Sequence, residues 1–217
     1  AEGIKKYVAG EPEAVLMVEF IDEDLDLVRS KIKDLENLVK NQNQNNHFRN
    51  YENLEDQKEV FEIRKAGLNI LMSLKGDKKP VAFIEDCAVT LDHLADYTSR
   101  LKEVFAKYNT NGMFYAHASV GTLHVRPVLN MKSDQDIKNM KAIAEEAFDM
   151  VKEYRGSHSG EHGDGIVRSE FHEKMFGKKI LNTFEEIKDT FDKKNLLNPH
   201  KIVRAYKSDD RSLMRYK

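Results

Sequence analysis

Two apolar runs, MFYAHAS (113–119) and TLHVRPVL (122–129), follow one another with little more than Gly121 between them. Strands joined so tightly pair as antiparallel neighbours, whereas parallel pairing needs a long crossover. This hairpin constrains the fold more than any other feature. It also carries two histidines, His117 and His124, seven positions apart across small residues and a glycine. Such a turn lets both rings address one ion.

The remaining elements arrange themselves around the hairpin. AVLMVEF (14–20) and VAFIED (81–86) have the composition of short buried strands. Between and after them, apolar residues recur at helical spacing. Leu25, Val28, Ile32, Leu35 and Val39 define a first helix, with Asp22 and Asp24 suited to its N-terminus. The first strand and this helix should form one unit. NQNQNNHFRN (41–50) reads as a connector. A second helical region spans Leu54 to about Leu74 with an interruption at Gly67, a third covers 90–107, and a strongly periodic fourth covers 134–154. Further helical sequence leads to LLNPHKIV (196–203). Four strands interleaved with helices predict an α+β fold: an antiparallel sheet with helices on one face, of the split βαβ or ferredoxin-like kind, plus a C-terminal helical segment. The 217 residues suffice for one large domain or two small ones.

Charge and cysteine content exclude some classes. Lys plus Arg number 35 and Asp plus Glu 37, for a net charge of -2, so no basic excess favours a nucleic-acid partner. The longest apolar runs are far shorter than the ~20 residues of a membrane-spanning helix. The single cysteine, Cys87, makes no internal disulfide. With no signal-peptide pattern, a reduced, cytoplasmic setting is expected.

A second segment strengthens the metal reading of the hairpin. SGEHGDG (159–165) holds three glycines in seven residues, together with Glu161, His162 and Asp164. Read from the residues alone, it is either a solvated turn with surface charges or a loop whose backbone approaches a ligand. In the second case His117, His124 and Glu161 offer the donors of a zinc-type site, with His162 as a base beside it. A hydrolase could use the same four residues.

FYAHASVGTLHVRPVLN, SGEHGDGIVRSEF and LLNPHKIV resemble the C-terminal, substrate-side domain of FAD-linked oxidases related to D-lactate dehydrogenase, the glycolate oxidase D subunit and D-2-hydroxyglutarate dehydrogenase. FEIRKAGLNILMSLKGDKKPVAFIEDCAV is similar to the matching region of long bacterial members fused to an iron–sulfur portion. The resemblance implies one domain over 1–217, with FAD as cofactor and a small D-2-hydroxy acid as substrate. It implies His117, His124 and Glu161 as ligands of a divalent metal, zinc in particular, and His162 as the base that takes the hydroxyl proton while the hydride leaves for the flavin. Arg64 and Arg126 become candidates for the substrate carboxylate, and Asn198, Pro199 and Gly163 for the flavin side. Arg126 departs from the asparagine found there in the 2-hydroxyglutarate enzymes, and the substrate lysine of some relatives has no match in Lys78 or Lys79.

No segment has the glycine-rich strand-turn pattern that cradles a pyrophosphate. The chain, starting at AEGIKKYV, therefore reads as a fragment, inactive alone. Its expected partners are an FAD-binding domain and an iron–sulfur domain of the same parent chain, with any membrane association made through an electron acceptor. A metal-dependent hydrolase and a non-catalytic interaction domain that kept the fold are the rival readings.

Overall fold

The computed structural model describes residues 7–8, 12–42 and 46–215. The chain divides into two compact units, Ala1–Ile70 and Leu71–Lys217. The first contains α1 (Leu25–Gln42) and most of α2 (Leu54–Met72). Asp24 caps α1, its Oδ1 accepting from the amide of Asp26 at 2.9 Å. Gly67, expected to interrupt the second helix, lies inside an unbroken α2. An isolated glycine costs about 1 kcal/mol in a helix, too little to break nineteen residues of it.

The strand expected over 14–20 is absent. These residues have no regular secondary structure, and Val15 and Leu16 are exposed. A strand needs a neighbouring edge to take its backbone hydrogen bonds, and among the described residues none pairs with this run. The expected strand-plus-helix unit is thus a helix alone. Of the 41–50 connector, residues 43–45 lie outside the described residues, and most of AEGIKKYV does too.

The second unit is built on the predicted hairpin. β3 (Gly112–His117) and β4 (Thr122–Leu129) pair antiparallel, with His117 opposite Thr122 and Tyr115 opposite His124. β1 (Lys79–Pro80) and β2 (Cys87–Ala88) both pair antiparallel with β4. The expected strand VAFIED is therefore corrected: residues 81–86 are the irregular stretch between two strand fragments. Pro80 stands opposite Val128 and Cys87 opposite Leu123. The intervening residues 81–86 thus face the shorter stretch 124–127, and the surplus backbone loops inward, as at a bulge. Phe83, Ile84, Glu85 and Asp86 are all buried there, and Asp86 takes a φ of 56°.

Alternation along β4 separates core from site. Leu123, Val125 and Leu129 join the core. There they meet Tyr97, Leu101 and Phe105 of α3 (Leu91–Lys107), and Ile143, Ala147, Phe148 and Val151 of α4 (Asp134–Glu153). His124 and Arg126 point the other way. Ser133 caps α4 by accepting from the amide of Asp136. After α4, a loop leads through Ser169–Phe171 into α5 (His172–Phe176) and α6 (Lys178–Phe191). The chain then turns at Asn198, whose φ is 46°. Asp192 shapes that turn: its carboxylate accepts from the amides of Leu196 and Leu197, each at 2.9 Å, and from Lys188 Nζ at 2.5 Å. The Lys188 contact and the two amides hold the Asp192 carboxyl down at about 2.

Two tests follow from this packing. Gly121 has a φ of +71°, and a Cβ there would lie 1.8 Å from the carbonyl oxygen of Val89. Gly121→Ala should therefore destabilise the unit by on the order of 2 kcal/mol or more, read from denaturant unfolding; an unchanged midpoint would refute the close approach. Asp192 has a depressed folded-state pKa, so its contribution is complete above the ordinary value of 3.8 and is lost as pH falls towards about 2. Asp192→Asn should lower the melting temperature at neutral pH, with the gap to wild type narrowing through that acid window.

Candidate functional site

The face of the hairpin opposite the helices carries the predicted residues. His117 ends β3 and His124 lies within β4; their rings are 5.1 Å apart between centroids and nearly perpendicular. Glu161 comes from the loop after α4, and its Oε1 stands 3.2 Å from His124 Nε2 and 3.5 Å from His117 Nε2. His162 stacks on His124 with centroids 5.0 Å apart, its Nε2 3.6 Å from the same Glu161 oxygen. All four sequence-predicted residues thus converge on one point. His124 is buried, while His117, Glu161 and His162 are each partly open to solvent. One face closed and one open suits a site that holds an ion and admits a small molecule.

Donor chemistry and spacing fit a divalent cation: His117, His124 and Glu161 each present a ligand atom, all within 4.8 Å of one another. A second, overlapping set of Glu85, His124 and His162 meets the same criterion. Glu85, which the sequence reading did not single out, is the missed member of the site. Its Oε1 lies 3.3 Å from His124 Nδ1 and 4.0 Å from His162 Nδ1. His124 Nδ1 is buried without an aligned hydrogen-bond partner. A proton there, facing the Glu85 carboxylate, would leave Nε2 free to ligate, as when a carboxylate sets the tautomer of a metal-binding histidine. Burial lowers the His124 pKa, against the pull of Glu85, which favours the neutral ring that ligation requires. Tyr115 flanks both imidazoles, 6.1 Å from His117 and 5.6 Å from His124 between ring centroids.

Glu85 also binds Arg126 through two hydrogen bonds of 2.9 Å, from Nε and one terminal nitrogen, which raise the Arg126 pKa. Arg126, a candidate for the substrate carboxylate, is therefore already paired with a carboxylate of the protein. Arg64, the other candidate, lies half-buried on α2 in the first unit.

The loop bearing Glu161 and His162 is held from beneath. Asp86 Oδ2 accepts from the amides of both residues, each at 2.6 Å, and the Asp86 carbonyl accepts from Gly160 at 2.9 Å. A Cβ on Gly160 would lie 2.9 Å from that carbonyl oxygen. This glycine thus serves a close approach of backbone to backbone rather than to a ligand. Arg168, only 4% exposed, bonds Asp86 and the carbonyls of Glu85, His158 and Gly163. Burial by itself would raise the Asp86 carboxyl; the Arg168 contact and the two amides outweigh it and hold the group below the usual range. The adjacent pair Glu85 and Asp86, and Arg168 in IVRSEF, gave no sequence signal beyond charge in apolar surroundings.

On the far side of His162 lies an open cavity of about 550 Å³, bounded by His162, Gly163, Asp164, Leu197, Asn198 and Ile202. Two of the predicted flavin-side residues, Gly163 and Asn198, share this cavity with the predicted base. Pro199 follows Asn198 in the exposed turn. Among the described residues no helix is long and apolar enough to cross a membrane, and Cys87 is free and buried, its thiol pushed up to about 12 by burial.

The chain is similar in sequence to known proteins. The chain is 36% identical over 151 residues to D-2-hydroxyglutarate dehydrogenase of Haemophilus influenzae, which covers 70% of the chain and 15% of that protein. It is 27% identical over 143 residues to glycolate oxidase subunit GlcD of Bacillus subtilis, covering 66% of the chain and 30% of the subunit. With D-lactate dehydrogenase of Archaeoglobus fulgidus it shares 30% identity over 133 residues, 61% of the chain and 29% of that enzyme. The chain thus spans between about a seventh and a third of the length of these relatives. Residues 2–202 match the family described as FAD linked oxidases, C-terminal domain, and the chain belongs to that family.

Proposed function

We propose that the chain is the metal- and substrate-binding part of a flavin-dependent dehydrogenase acting on a D-2-hydroxy acid of the D-lactate, glycolate or D-2-hydroxyglutarate type. The observation that carries this reading is the convergence of His117, His124, Glu161 and His162 on one partly open point, next to a cavity walled by Gly163 and Asn198. A hydrolase would need the first half of that arrangement only.

His117, His124 and Glu161 would hold the ion, and Glu85 would orient His124. When bound, a zinc-class cation supplies Lewis acidity that makes a coordinated hydroxyl easier to deprotonate. His162 takes that proton at a ring nitrogen, poised by its stacking on His124 and by the grip of Asp86 on its amide. FAD, when bound, would supply the acceptor for the C2 hydrogen as a hydride, leaving the 2-oxo acid. Gly163 and Asn198 present the cavity wall to the flavin, with Pro199 shaping the turn. Arg126 places positive charge near the substrate carboxylate while Glu85 fixes its plane. FAD is bound mainly by a separate N-terminal domain of the parent protein, to which an iron–sulfur domain is joined. Any membrane association runs through the electron acceptor.

Calorimetric titration of the chain with zinc tests the ion site. His117→Ala and Glu161→Ala should abolish binding there, and Glu85→Gln should weaken it about 10–100-fold while leaving the ligands intact; equal zinc affinity in wild type and His117→Ala would overturn the assignment. For the chemistry, the FAD-loaded parent should reduce its flavin with a D-2-hydroxy acid, and His162→Ala should lower kcat by about 10²–10⁴-fold. Turnover of esters by the chain without flavin, or full activity in His162→Ala, would favour another reaction.

A further inference from the structure

A second group of potential ligands lies beneath the SGEHGDG loop and shares no residue with the site above. His158 follows the isolated bridge between Ala88 and Ser157, Asp164 sits in the loop itself, and His172 opens α5. His158 Nε2 is 3.2 Å from Asp164 Oδ1, and His172 Nε2 is 2.8 Å from Asp164 Oδ2. The three donor atoms fall within 4.8 Å of one another. We propose that His158, Asp164 and His172 form a second, buried site for a divalent cation of the zinc class.

The state of these side chains without a cation is unfavourable. His158 is 1% exposed, and neither ring nitrogen has an aligned hydrogen-bond partner; Asp164 Oδ1, 3.2 Å from His158 Nε2, is likewise buried without an aligned bond. Phe148 and Phe176 pack against the His158 ring at 5.4 and 5.6 Å between centroids, which leaves Asp164 and His172 as the polar side chains facing it. Unpaired polar groups are rare in such surroundings because each forfeits its hydration. His172 faces an acceptor on both sides: the carbonyl oxygen of Ile202 lies 2.9 Å from Nδ1 and the Asp164 carboxylate 2.8 Å from Nε2. With the Nδ1 proton given to Ile202, the Nε2 lone pair points at a carboxylate, and something positive must lie between them.

The charge count agrees. The buried carboxylates of Asp86 and Asp164 face a single guanidinium, Arg168, whose hydrogen bond goes to Asp86. With both imidazoles neutral, one negative charge at Asp164 is left over. A divalent cation bound to His158 Nε2, His172 Nε2 and Asp164 satisfies the orphan atoms together, and the Ile202 carbonyl then fixes the ligating tautomer of His172. Two imidazoles and one carboxylate suit zinc, cobalt or nickel, whereas magnesium and calcium favour oxygen donors alone. Zinc with bonds of about 2.0–2.2 Å holds its donors about 3.3–3.5 Å apart, so His172 Nε2 and the Asp164 carboxylate, now 2.8 Å apart, would have to separate by roughly half an ångström. Enclosed as it is, such an ion is structural: it ties the loop carrying Glu161 and His162 to α5.

The test separates the two sites. The chain carrying His117→Ala and His124→Ala, stripped with chelator and reloaded, should retain one zinc per chain by mass spectrometry after gel filtration, and its melting temperature should rise with zinc. Adding His158→Leu and His172→Leu, which fill the aromatic surroundings with apolar groups, should remove that zinc. X-ray absorption on the zinc-loaded His117→Ala/His124→Ala chain gives a readout that needs no further variant, and two imidazoles in the coordination shell support the site. The proposal is overturned if the folded His117→Ala/His124→Ala chain holds no zinc, if its zinc lacks imidazole scattering, or if the leucine substitutions leave the zinc in place. The first two results would leave a proton on His172 as the occupant of the gap.

Discussion

The ion pair between Asp86 and Arg168 is the contact on which the site depends. One carboxylate oxygen of Asp86 receives the amides of Glu161 and His162, and the other receives Arg168, which in turn holds the carbonyls of Glu85, His158 and Gly163. Two irregular stretches, 81–86 and 157–165, are thereby fixed to each other without regular secondary structure between them. Breaking a buried pair of this kind is costly because the surviving charge stays buried and uncompensated. A candidate base and a candidate ligand, adjacent in sequence on a glycine-rich loop, thus gain the rigidity that loops ordinarily lack.

Strand geometry does the rest of the positioning. Along β4, Leu123, Val125 and Leu129 lie in the core while His124 and Arg126 project from the opposite face, and the register sets Tyr115 across from His124. A one-residue slip would exchange the two sets, burying imidazole and guanidinium under α4 and exposing leucine. The same apolar burial that fixes the register therefore fixes the site. The inward loop 81–86 completes it, since surplus backbone opposite residues 124–127 brings the Glu85 carboxylate to both His124 and Arg126.

Much of this was legible in the sequence, for identifiable reasons. The hairpin and α4 follow from periodicity, whereas the grouping of His117, His124, Glu161 and His162 is what the resemblance of their two motifs to the FAD-linked oxidases implied, since spacing alone left it open. Residues 14–20 have strand composition, yet pairing depends on an available edge, which no local pattern encodes. VAFIED has strand composition too, but Asp86 adopts a positive φ because tertiary contacts with Arg168 and two loop amides outweigh local preference. Glu85, Arg168, His158 and His172 went unread for a related reason. A buried charged or imidazole residue takes its meaning from a partner tens of positions away, and neither partner is informative by itself.

Charge balance narrows what the site can accept. Among the groups facing one another there, Glu85 and Glu161 are acidic and Arg126 is basic, with the imidazole of His124 favoured neutral by burial. Counting the imidazoles as neutral, the set carries one net negative charge, which repels a carboxylate approaching alone. A divalent cation reverses the sign to one positive charge, and a single substrate carboxylate then neutralises the assembly. On the proposed reading, cation first and hydroxy acid second is the order such electrostatics favours. A dicarboxylate brings a further negative charge that Arg126, already shared with Glu85, matches only in part.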